Sequence, residues 1–356
     1  MEWKSCRNIL VIRPDNMGDL LMSAPAISAL SESFKCNITL LTSTMALEAS
    51  GLLPWVNEVI CYDFPWVKTQ DAQPSETLPA LITDIKRRAF DGCIVFNVYS
   101  QNPVPSIMIA FMAGIPLRAA YCRENLYGLL THWLADTEPY FEIRHQVLRD
   151  LKLCSFIGAN TADPHIRITL EGDIENRKLK DLNLKKDGFF VLHIGVSEKK
   201  RQYPKDEWIK LGKALFEQYK LPLLLSGSKK EQCVIANIAA AIGKDAISIA
   251  GLLNLKELAT CIAMARAMIS VNSGPMHLAA ATGTPILALY ARTNPQHTPW
   301  MVPCKIIEFD APPSLQSKNQ VLRFQSEKIY PFPITFPDTF TIVNEFNDLL
   351  NETTSP

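Results

Sequence analysis

Short apolar runs bounded by turn residues alternate with longer segments of mixed polarity along almost the whole chain. The short runs predict buried strands, and the longer segments have the spacing of amphipathic helices. A regular alternation of strands and helices is typical of an α/β protein with parallel sheets. Because the alternation stops at a charged segment and then resumes, the sequence predicts two such series.

The predicted elements divide the chain into two domains. The first series has strands at 8–13, 37–42, 58–62, 92–98 and 118–121, with helices at 19–34 and 78–89. The second has strands at 189–194, 222–226, 246–249, 267–271 and 285–290, with helices at 205–219, 229–242 and 255–265. We therefore predict domains at 1–167 and 188–338, a charged linker at 168–187, and a C-terminal helix and tail at 339–356. The Pro-rich stretch 311–337 is expected to be irregular.

Parallel sheets of this kind bind ligands at the carboxyl ends of their strands. With two such sheets, the natural ligand site is a cleft between them. The expected fold is thus a pair of Rossmann-like domains whose parallel sheets face each other across a cleft.

Composition narrows the functional classes. The chain has 356 residues, 47% hydrophobic and 20% charged, which suits a globular protein of two domains. Its formal net charge of zero disfavours nucleic acid as the main partner. The nine cysteines form no CxxC pair, so we expect buried thiols in a reducing, cytoplasmic environment and no metal site. The apolar run 107–115 is too short to span a membrane.

The stretch 268–290, MISVNSGPMHLAAATGTPILALY, is the most informative motif. It reads as a buried strand, a corner at Ser273 and Gly274, and a short alanine-rich helix. Ser273 is a good N-cap, Gly274 permits close backbone approach, and Pro275 suits the first helical turn. Free N–H groups at such a helix start favour a phosphate, and His277 is placed to donate to it. The alternative for His277 is a histidine that simply packs at a helix start.

A second loop, RPDNMGD, follows the first strand directly and precedes a long helix. It lacks the GxGxxG pattern of a dinucleotide site. Gly18 eases the turn, and Arg13 and Asp19 flank it, so Asp19 stands at a helix start where the dipole favours an ionised carboxylate. Such a group can accept a proton. The alternative is that Asp15 or Asp19 only caps the helix.

A third loop, LHIGVSEKKRQYP, follows the first strand of the second domain. It carries His193 and Gly195 at the strand end and a run of cations that includes Arg201. A guanidinium at this position could neutralise a diphosphate. The alternative is a solvated charged loop.

These loops together resemble glycosyltransferase family 9, the heptosyltransferases that build the inner core of lipopolysaccharide. The resemblance extends over almost the whole chain and depends chiefly on NILVIRPDNMGDLLMSAPAISAL and VNSGPMHLAAATGTP, with FDGCIVFNV and LHIGVSEKKRQYPKDEW between them. It implies the two-domain GT-B architecture and inverting transfer of a sugar from a nucleotide diphosphate. The implied donor is ADP-heptose and the implied acceptor a lipopolysaccharide-type glycolipid, with peripheral contact at the cytoplasmic face of the inner membrane. The scheme requires no metal or cofactor.

Each site role is carried over by position. Asp19 matches the catalytic base of the family, and Glu231 and Leu253 match positions that hold the ribose and the base. The leaving diphosphate would be held by Arg201, Asn272, Ser273, Gly274 and His277. The cleft would also be lined by Arg13, Gly18, His193 and Gly195.

Three departures from the family pattern stand out. Asn272 replaces the usual Asp, Ile194 replaces the proline of a His-Pro-Gly turn, and Arg201 takes a position usually held by lysine. Asn272 removes a negative charge beside the diphosphate while keeping hydrogen-bonding capacity. Two other functions stay open from sequence: a nucleotide-sugar epimerase, and a non-catalytic nucleotide-sugar binding protein. A nicotinamide oxidoreductase is disfavoured, because neither domain opens with the glycine fingerprint.

Overall fold

The computed structural model describes residues 2–68, 73–170, 182, 184–317, 319–330 and 332–354. The chain divides into two compact units, Met1–Thr169 and Leu170–Pro356, here called the first and second units. Most of the linker predicted at 168–187 lies outside the described residues.

The first unit is built on a six-stranded sheet whose described pairings are all parallel. Its strands are β1 Asn8–Arg13, β2 Asn37–Thr42, β3 Glu58–Cys61, β4 Gly92–Val95, β5 Leu117–Cys122 and β6 His132–Ala135. Its helices are α1 Met17–Phe34, α2 Thr44–Ser50, α3 Leu78–Arg87, α4 Val104–Met112 and α5 Gln146–Phe156. The strand order is β3-β2-β1-β4-β5-β6.

The second unit repeats this plan with a second parallel sheet of six strands. Its strands are β7 Phe190–His193, β8 Leu223–Ser226, β9 Ala246–Ser248, β10 Ala267–Val271, β11 Ile286–Ala291 and β12 Cys304–Phe309. Its helices are α6 Lys205–Tyr219, α7 Gln232–Ile242, α8 Leu255–Met264, α9 Gly274–Thr282, α10 Gln320–Ile329 and α11 Thr339–Thr354. The strand order is β12-β11-β10-β7-β8-β9.

Both sheets have the 3-2-1-4-5-6 order of a Rossmann fold, counted within each unit. The order in which successive strands are added to the sheet changes direction between the parallel neighbours β1 and β4 in the first unit and between β7 and β10 in the second. Ligands of such folds bind outside the carboxyl ends of the strands at this reversal. A ligand is therefore expected at the loops that follow these four strands. The expectation of two parallel α/β sheets is confirmed.

The burial of the central strands explains why their positions could be predicted from the sequence. All but the first residue of β1 are buried, and every residue of β7 and β10 is buried. Strands covered by helices on both faces have continuous apolar sequences, and that pattern had predicted them. In the second unit, α6 buries Trp208 against the sheet, and α11 adds Phe346 to the same core.

Three expectations were wrong. The edge strands β6 and β12 were not predicted; both are largely half-buried. The stretch predicted as irregular contains α10, where the side chain of Asn319 caps the helix start by accepting from two backbone N–H groups. The cysteines were expected to be buried, yet Cys61 and Cys233 are exposed.

The apolar run 107–115 falls mainly on α4, which has nine residues. Within the described part of the chain, every helix is too short or too polar to cross a bilayer.

Candidate functional site

At the corner after β10, the side chain of the N-cap residue Ser273 accepts no hydrogen bond from the backbone N–H groups at the start of the next helix. Ser273 has the extended backbone of an N-cap, but its hydroxyl donates to the Val271 carbonyl at 3.3 Å instead of accepting from the helix. Gly274 begins α9, and Pro275 contributes no N–H. This is the arrangement that a phosphate site at the positive end of the helix requires. His277 follows in the same first turn and is buried.

Arg201 lies against this corner. It ends a short 3-10 turn, Lys199–Arg201, and its Nη1 donates to the Asn272 carbonyl at 3.2 Å. Its Nη2 pairs with Glu198 at 3.2 Å, and a quarter of the side chain is exposed. The structure thus brings together Arg201, Asn272, Ser273 and Gly274, which sequence analysis had placed at one anion site.

Asn272 has a structural task that sequence analysis missed. Its side-chain oxygen accepts from the Ala291 N–H at 3.1 Å, and its Nδ2 donates to the Ala291 carbonyl at 3.1 Å and to Thr293 Oγ1 at 3.2 Å. Both backbone groups of Ala291, the last residue of β11, are therefore satisfied by one amide. An Asp here could accept from the N–H but could not donate to the carbonyl.

Three glycine turns meet at the ends of β7, β8 and β9. A Cβ at Gly195 would lie 2.9 Å from the Gly227 Cα and 2.6 Å from a carboxylate oxygen of Glu231. Gly251 has a positive φ of 68°, and a Cβ there would lie 2.6 Å from the Lys229 Cα. Only glycine permits backbones to approach so closely. Sequence analysis missed Gly227 and Gly251, although Gly227 directly follows the strand predicted at 222–226 and Gly251 lies two residues after the strand predicted at 246–249.

The Glu231 carboxylate ties two of these turns together. One oxygen accepts from the Val196 N–H at 2.8 Å, and the other accepts from the Ser228 N–H at 2.9 Å and its hydroxyl at 2.6 Å. Glu231 thus has an observed role in holding the loops. Leu253, the predicted base contact, is half-buried in the turn before α8.

His193 ends β7 and is neutral at physiological pH. Burial lowers its pKa from 6.5 to about 4, and its Nδ1 lies 2.9 Å from Ser226 Oγ. It therefore contributes no positive charge to the strand end. The cations near this loop are those of the 3-10 turn, Arg201 among them.

In the first unit, the loop after β1 settles which residue caps α1. The N-cap is Asn16, whose side-chain oxygen accepts from the Gly18 N–H at 3.1 Å. The alternative that Asp15 or Asp19 serves as the N-cap is wrong. Asp19 lies in the first turn and is buried, with 7% of its surface exposed. Asp19 is therefore not the residue that caps α1.

Arg13 bridges two carboxylates at this loop. Its fully buried guanidinium lies 3.4 Å from Asp19 Oδ1 through Nη2 and 3.4 Å from Asp15 Oδ2 through Nη1. Gln101, from the loop after β4, donates to the other oxygen of Asp15. Burial raises the pKa of Asp15 from 3.8 to about 6, although Arg13 opposes that change. One buried cation thus faces two acidic groups.

Helix α5 extends this polar cluster, and sequence analysis missed it. Asp150 accepts from Ser23 of α1 at 2.7 Å and from Gln146 at 2.8 Å. Burial raises the pKa of Asp150 to about 6. Arg149 makes a two-bond pair with Asp136, at 2.8 and 2.9 Å, after β6. A charged pair inside the helix sequence QVLRDLKLC was the available signal, but its partners are far away in sequence.

Known proteins resemble this chain in sequence and in fold. The family model of glycosyltransferase family 9 (heptosyltransferase) matches residues 79–322, more than half of the chain. A lipooligosaccharide heptosyltransferase 2 from Haemophilus ducreyi is 34% identical over 316 residues, covering 82% of this chain and 85% of the relative. Its counterpart from Haemophilus influenzae is 27% identical over 305 residues, covering 82% and 85%.

A solved structure supports the fold. The Escherichia coli ADP-heptose lps heptosyltransferase II matches with a TM-score of 0.72 at 22% identity, over 98% of this chain and all of the other. The family model and the Haemophilus ducreyi relative carry the assignment by sequence. The chain belongs to glycosyltransferase family 9 and is a glycosyltransferase of the heptosyltransferase type.

Proposed function

We propose that this enzyme transfers heptose from ADP-heptose onto a lipopolysaccharide core acceptor, with inversion at the anomeric carbon and with Asp19 as the general base. Family membership and the names of the relatives support the substrate class. The observation that carries the base assignment is the position of Asp19. It is buried in the first turn of α1 beside Arg13, while Asn16 caps the helix.

The reaction is a single displacement. The acceptor hydroxyl oxygen forms a bond to the anomeric carbon as the bond to the diphosphate oxygen breaks, and Asp19 takes the hydroxyl proton. General-base assistance typically contributes about 100- to 10,000-fold to the rate. Arg13 pairs with the Asp19 carboxylate at 3.4 Å.

The leaving group is ADP, and its charge grows as the bond breaks. The N–H groups at the start of α9 and the guanidinium of Arg201 would stabilise that charge, with His277 as a further donor. Arg201 already contacts the Asn272 carbonyl at this corner. These roles require no metal ion, because the anion is met by fixed donors.

The nucleoside would lie over the glycine turns after β7, β8 and β9. Leu253 offers an apolar contact for the base. Each carboxylate oxygen of Glu231 can accept more than one hydrogen bond, so Glu231 can hold the turns and still accept from a ribose hydroxyl. We place the reaction at the cytoplasmic face of the inner membrane, where a glycolipid acceptor would be reached by peripheral contact.

The decisive test is Asp19→Asn, assayed for transfer and for ADP binding. Transfer from ADP-heptose should fall by about 100- to 10,000-fold, because the amide cannot accept the proton. ADP affinity, measured by calorimetry, should stay within twofold of wild type. Asp84→Asn, on helix α3 and outside the candidate site, is the matched control and should leave both unchanged. Wild-type turnover by Asp19→Asn would remove Asp19 from its role.

Donor identity has its own test. A thermal-shift comparison of ADP, UDP and GDP should single out ADP, since a ligand at about 100 times its dissociation constant adds about 2.7 kcal/mol to stability. Product analysis with donor alone then separates transfer from epimerisation: an isomerised sugar would contradict the proposal.

A further inference from the structure

A polar cavity of about 130 Å³ lies in the second unit, between the ends of β11 and β12 and helix α10. An engineered cavity of about 150 Å³ in another protein admits benzene, so this volume is on the scale of one six-membered ring. The cavity is lined in part by Lys200, Thr293, Asp310, Arg323 and Ser326.

One wall of the cavity is rigid. Arg292 donates through Nε to Asp310 at 2.6 Å and through Nη2 to the Phe332 carbonyl at 2.7 Å. Its guanidinium also lies 4.6 Å from the centre of the Tyr330 ring. Asp310 in turn accepts from the Ile334 N–H at 2.8 Å. These contacts hold a donor group and an acceptor group in place before any ligand arrives.

The charges of the lining argue against a simple anion site. The lining contains cations, the carboxylates of Asp310 and Glu327, and the hydroxyls of Thr293, Ser317 and Ser326. Hydrogen-bond donors and acceptors are therefore both present in the cavity. Each sugar hydroxyl both donates and accepts, so such a lining suits a polyhydroxylated ring better than a phosphate, which only accepts when ionised.

Two lining residues, Thr293 and Lys200, connect the cavity to the candidate anion site. Thr293 lines the cavity and accepts from Asn272 Nδ2 at 3.2 Å. Lys200 also lines it and directly precedes Arg201, whose guanidinium donates to the Asn272 carbonyl. A group attached to a diphosphate at Ser273 would therefore lie next to residues that contact, or are adjacent in sequence to, the lining of the cavity.

We propose that this cavity is the subsite for the sugar ring of the nucleotide-sugar donor, with α10 as the element that selects the sugar. The inference depends on the proposed function, because it takes the diphosphate to lie at the start of α9. It adds a residue-level claim: Arg323 and Ser326 of α10 contact sugar hydroxyls, and the nucleoside does not reach them.

The test compares ADP with ADP-heptose by calorimetry on the full chain. Ser326→Leu places a larger apolar side chain in the cavity and should weaken ADP-heptose binding at least about tenfold, while ADP affinity stays within twofold. Arg323→Gln removes one charge and should weaken ADP-heptose about 3- to 10-fold, again with ADP unchanged. Lys328→Ala, on the same helix but outside the lining, is the matched control and should alter neither affinity.

Each other outcome counts against the sugar subsite. Unchanged ADP-heptose affinity in both variants overturns it, and so does an equal loss of ADP and ADP-heptose affinity. Normal donor affinity with a raised KM for the acceptor would assign the cavity to the acceptor instead. If thermal melting shows that Ser326→Leu is unfolded, Arg323→Gln decides alone. Failure of the wild-type chain to bind ADP would instead contradict the proposed function.

Discussion

Replacing Asp15 by Asn should stabilise the first unit at neutral pH. Asp15 is buried beside Arg13, and burial raises the pKa of its carboxyl from 3.8 to about 6. The folded protein therefore binds this proton more tightly than the unfolded chain does. Asparagine resembles the protonated acid in shape and can still accept the hydrogen bond from Gln101.

The size and sign of the effect follow from proton linkage. A rise of about two pKa units corresponds to about 3 kcal/mol between the two protonation states. Below about pH 4 the carboxyl is protonated in both folded and unfolded chains, so wild type and Asp15→Asn should be equally stable. Between about pH 4 and about pH 6 the wild type loses this stability, because the unfolded chain gives up the proton that the folded chain still holds, and the loss is complete once the pH has passed about 6. The variant stays neutral, and its advantage should reach at most about 3 kcal/mol above pH 7.

The assay is thermal unfolding followed by circular dichroism between pH 4 and pH 8. For 150 to 250 residues, 1 kcal/mol moves Tm by about 2–4 °C, so the gain above pH 7 should be at most about 6–12 °C. Asp84→Asn is the matched control, because hydrogen bonds from Arg88 and Arg87 lower the pKa of Asp84. That control should show no gain. Lower stability of Asp15→Asn at pH 8, or a gain independent of pH, would refute the reasoning.

Such a result would identify a cost that the proposed catalytic loop imposes on folding. Asp15 and Asp19 share one buried guanidinium, that of Arg13. Functional sites commonly retain groups that lower stability, because the arrangement that serves the reaction differs from the most stable one. The folding measurement therefore complements the transfer assay at Asp19.

Three further substitutions test separate parts of the fold. Arg149→Met leaves the buried carboxylate of Asp136 unpaired and should cost about 3–5 kcal/mol in urea unfolding at pH 7; a loss below 1 kcal/mol would contradict this. Gly195→Ala forces backbone to move and should cost about 1–3 kcal/mol, whereas Gly128→Ala, where a Cβ meets open space, should be tolerated in the same assay. Asn272→Asp deprives a buried carbonyl of its donor and should lower unfolding free energy by about 1–3 kcal/mol; equal stability would show that the amide contact is dispensable.

The central part of each sheet was predictable because its strands are buried on both faces. β1 and β10 have clear apolar runs, and the turn residues after them predicted the edge of each sheet where a ligand is expected. Edge strands β6 and β12 were missed and are only partly buried, although the edge strands β3 and β9, which are no more deeply buried, were predicted. Helix α10 was missed because it lies within a Pro-rich, polar stretch, and a single buried residue, Gln325, provides little periodic signal.

The residue types within each loop predicted which loops contribute to the candidate site. Contacts between side chains far apart in sequence could not be predicted in this way. The roles proposed for Ser273 and Gly274 follow from positions adjacent in sequence. The contact between Ser23 and Asp150 joins residues 127 positions apart. Asp15 and Asp19 both pair with the buried guanidinium of Arg13. Burial also raises the pKa of the Asp15 carboxyl, and burial cannot be read from the local sequence. Charge alone could not separate the two acids.

Asn272 shows how a departure from a family pattern can be explained locally. Its amide both donates to and accepts from Ala291, so the end of β11 requires a side chain with both capacities. An aspartate would supply only the acceptor. The contact from Arg201 goes to the backbone carbonyl of Asn272 and not to its side chain. The guanidinium can therefore remain at the corner proposed for the diphosphate whichever of the two residues occupies position 272. The exchange alters strand anchoring and local charge without removing the cation.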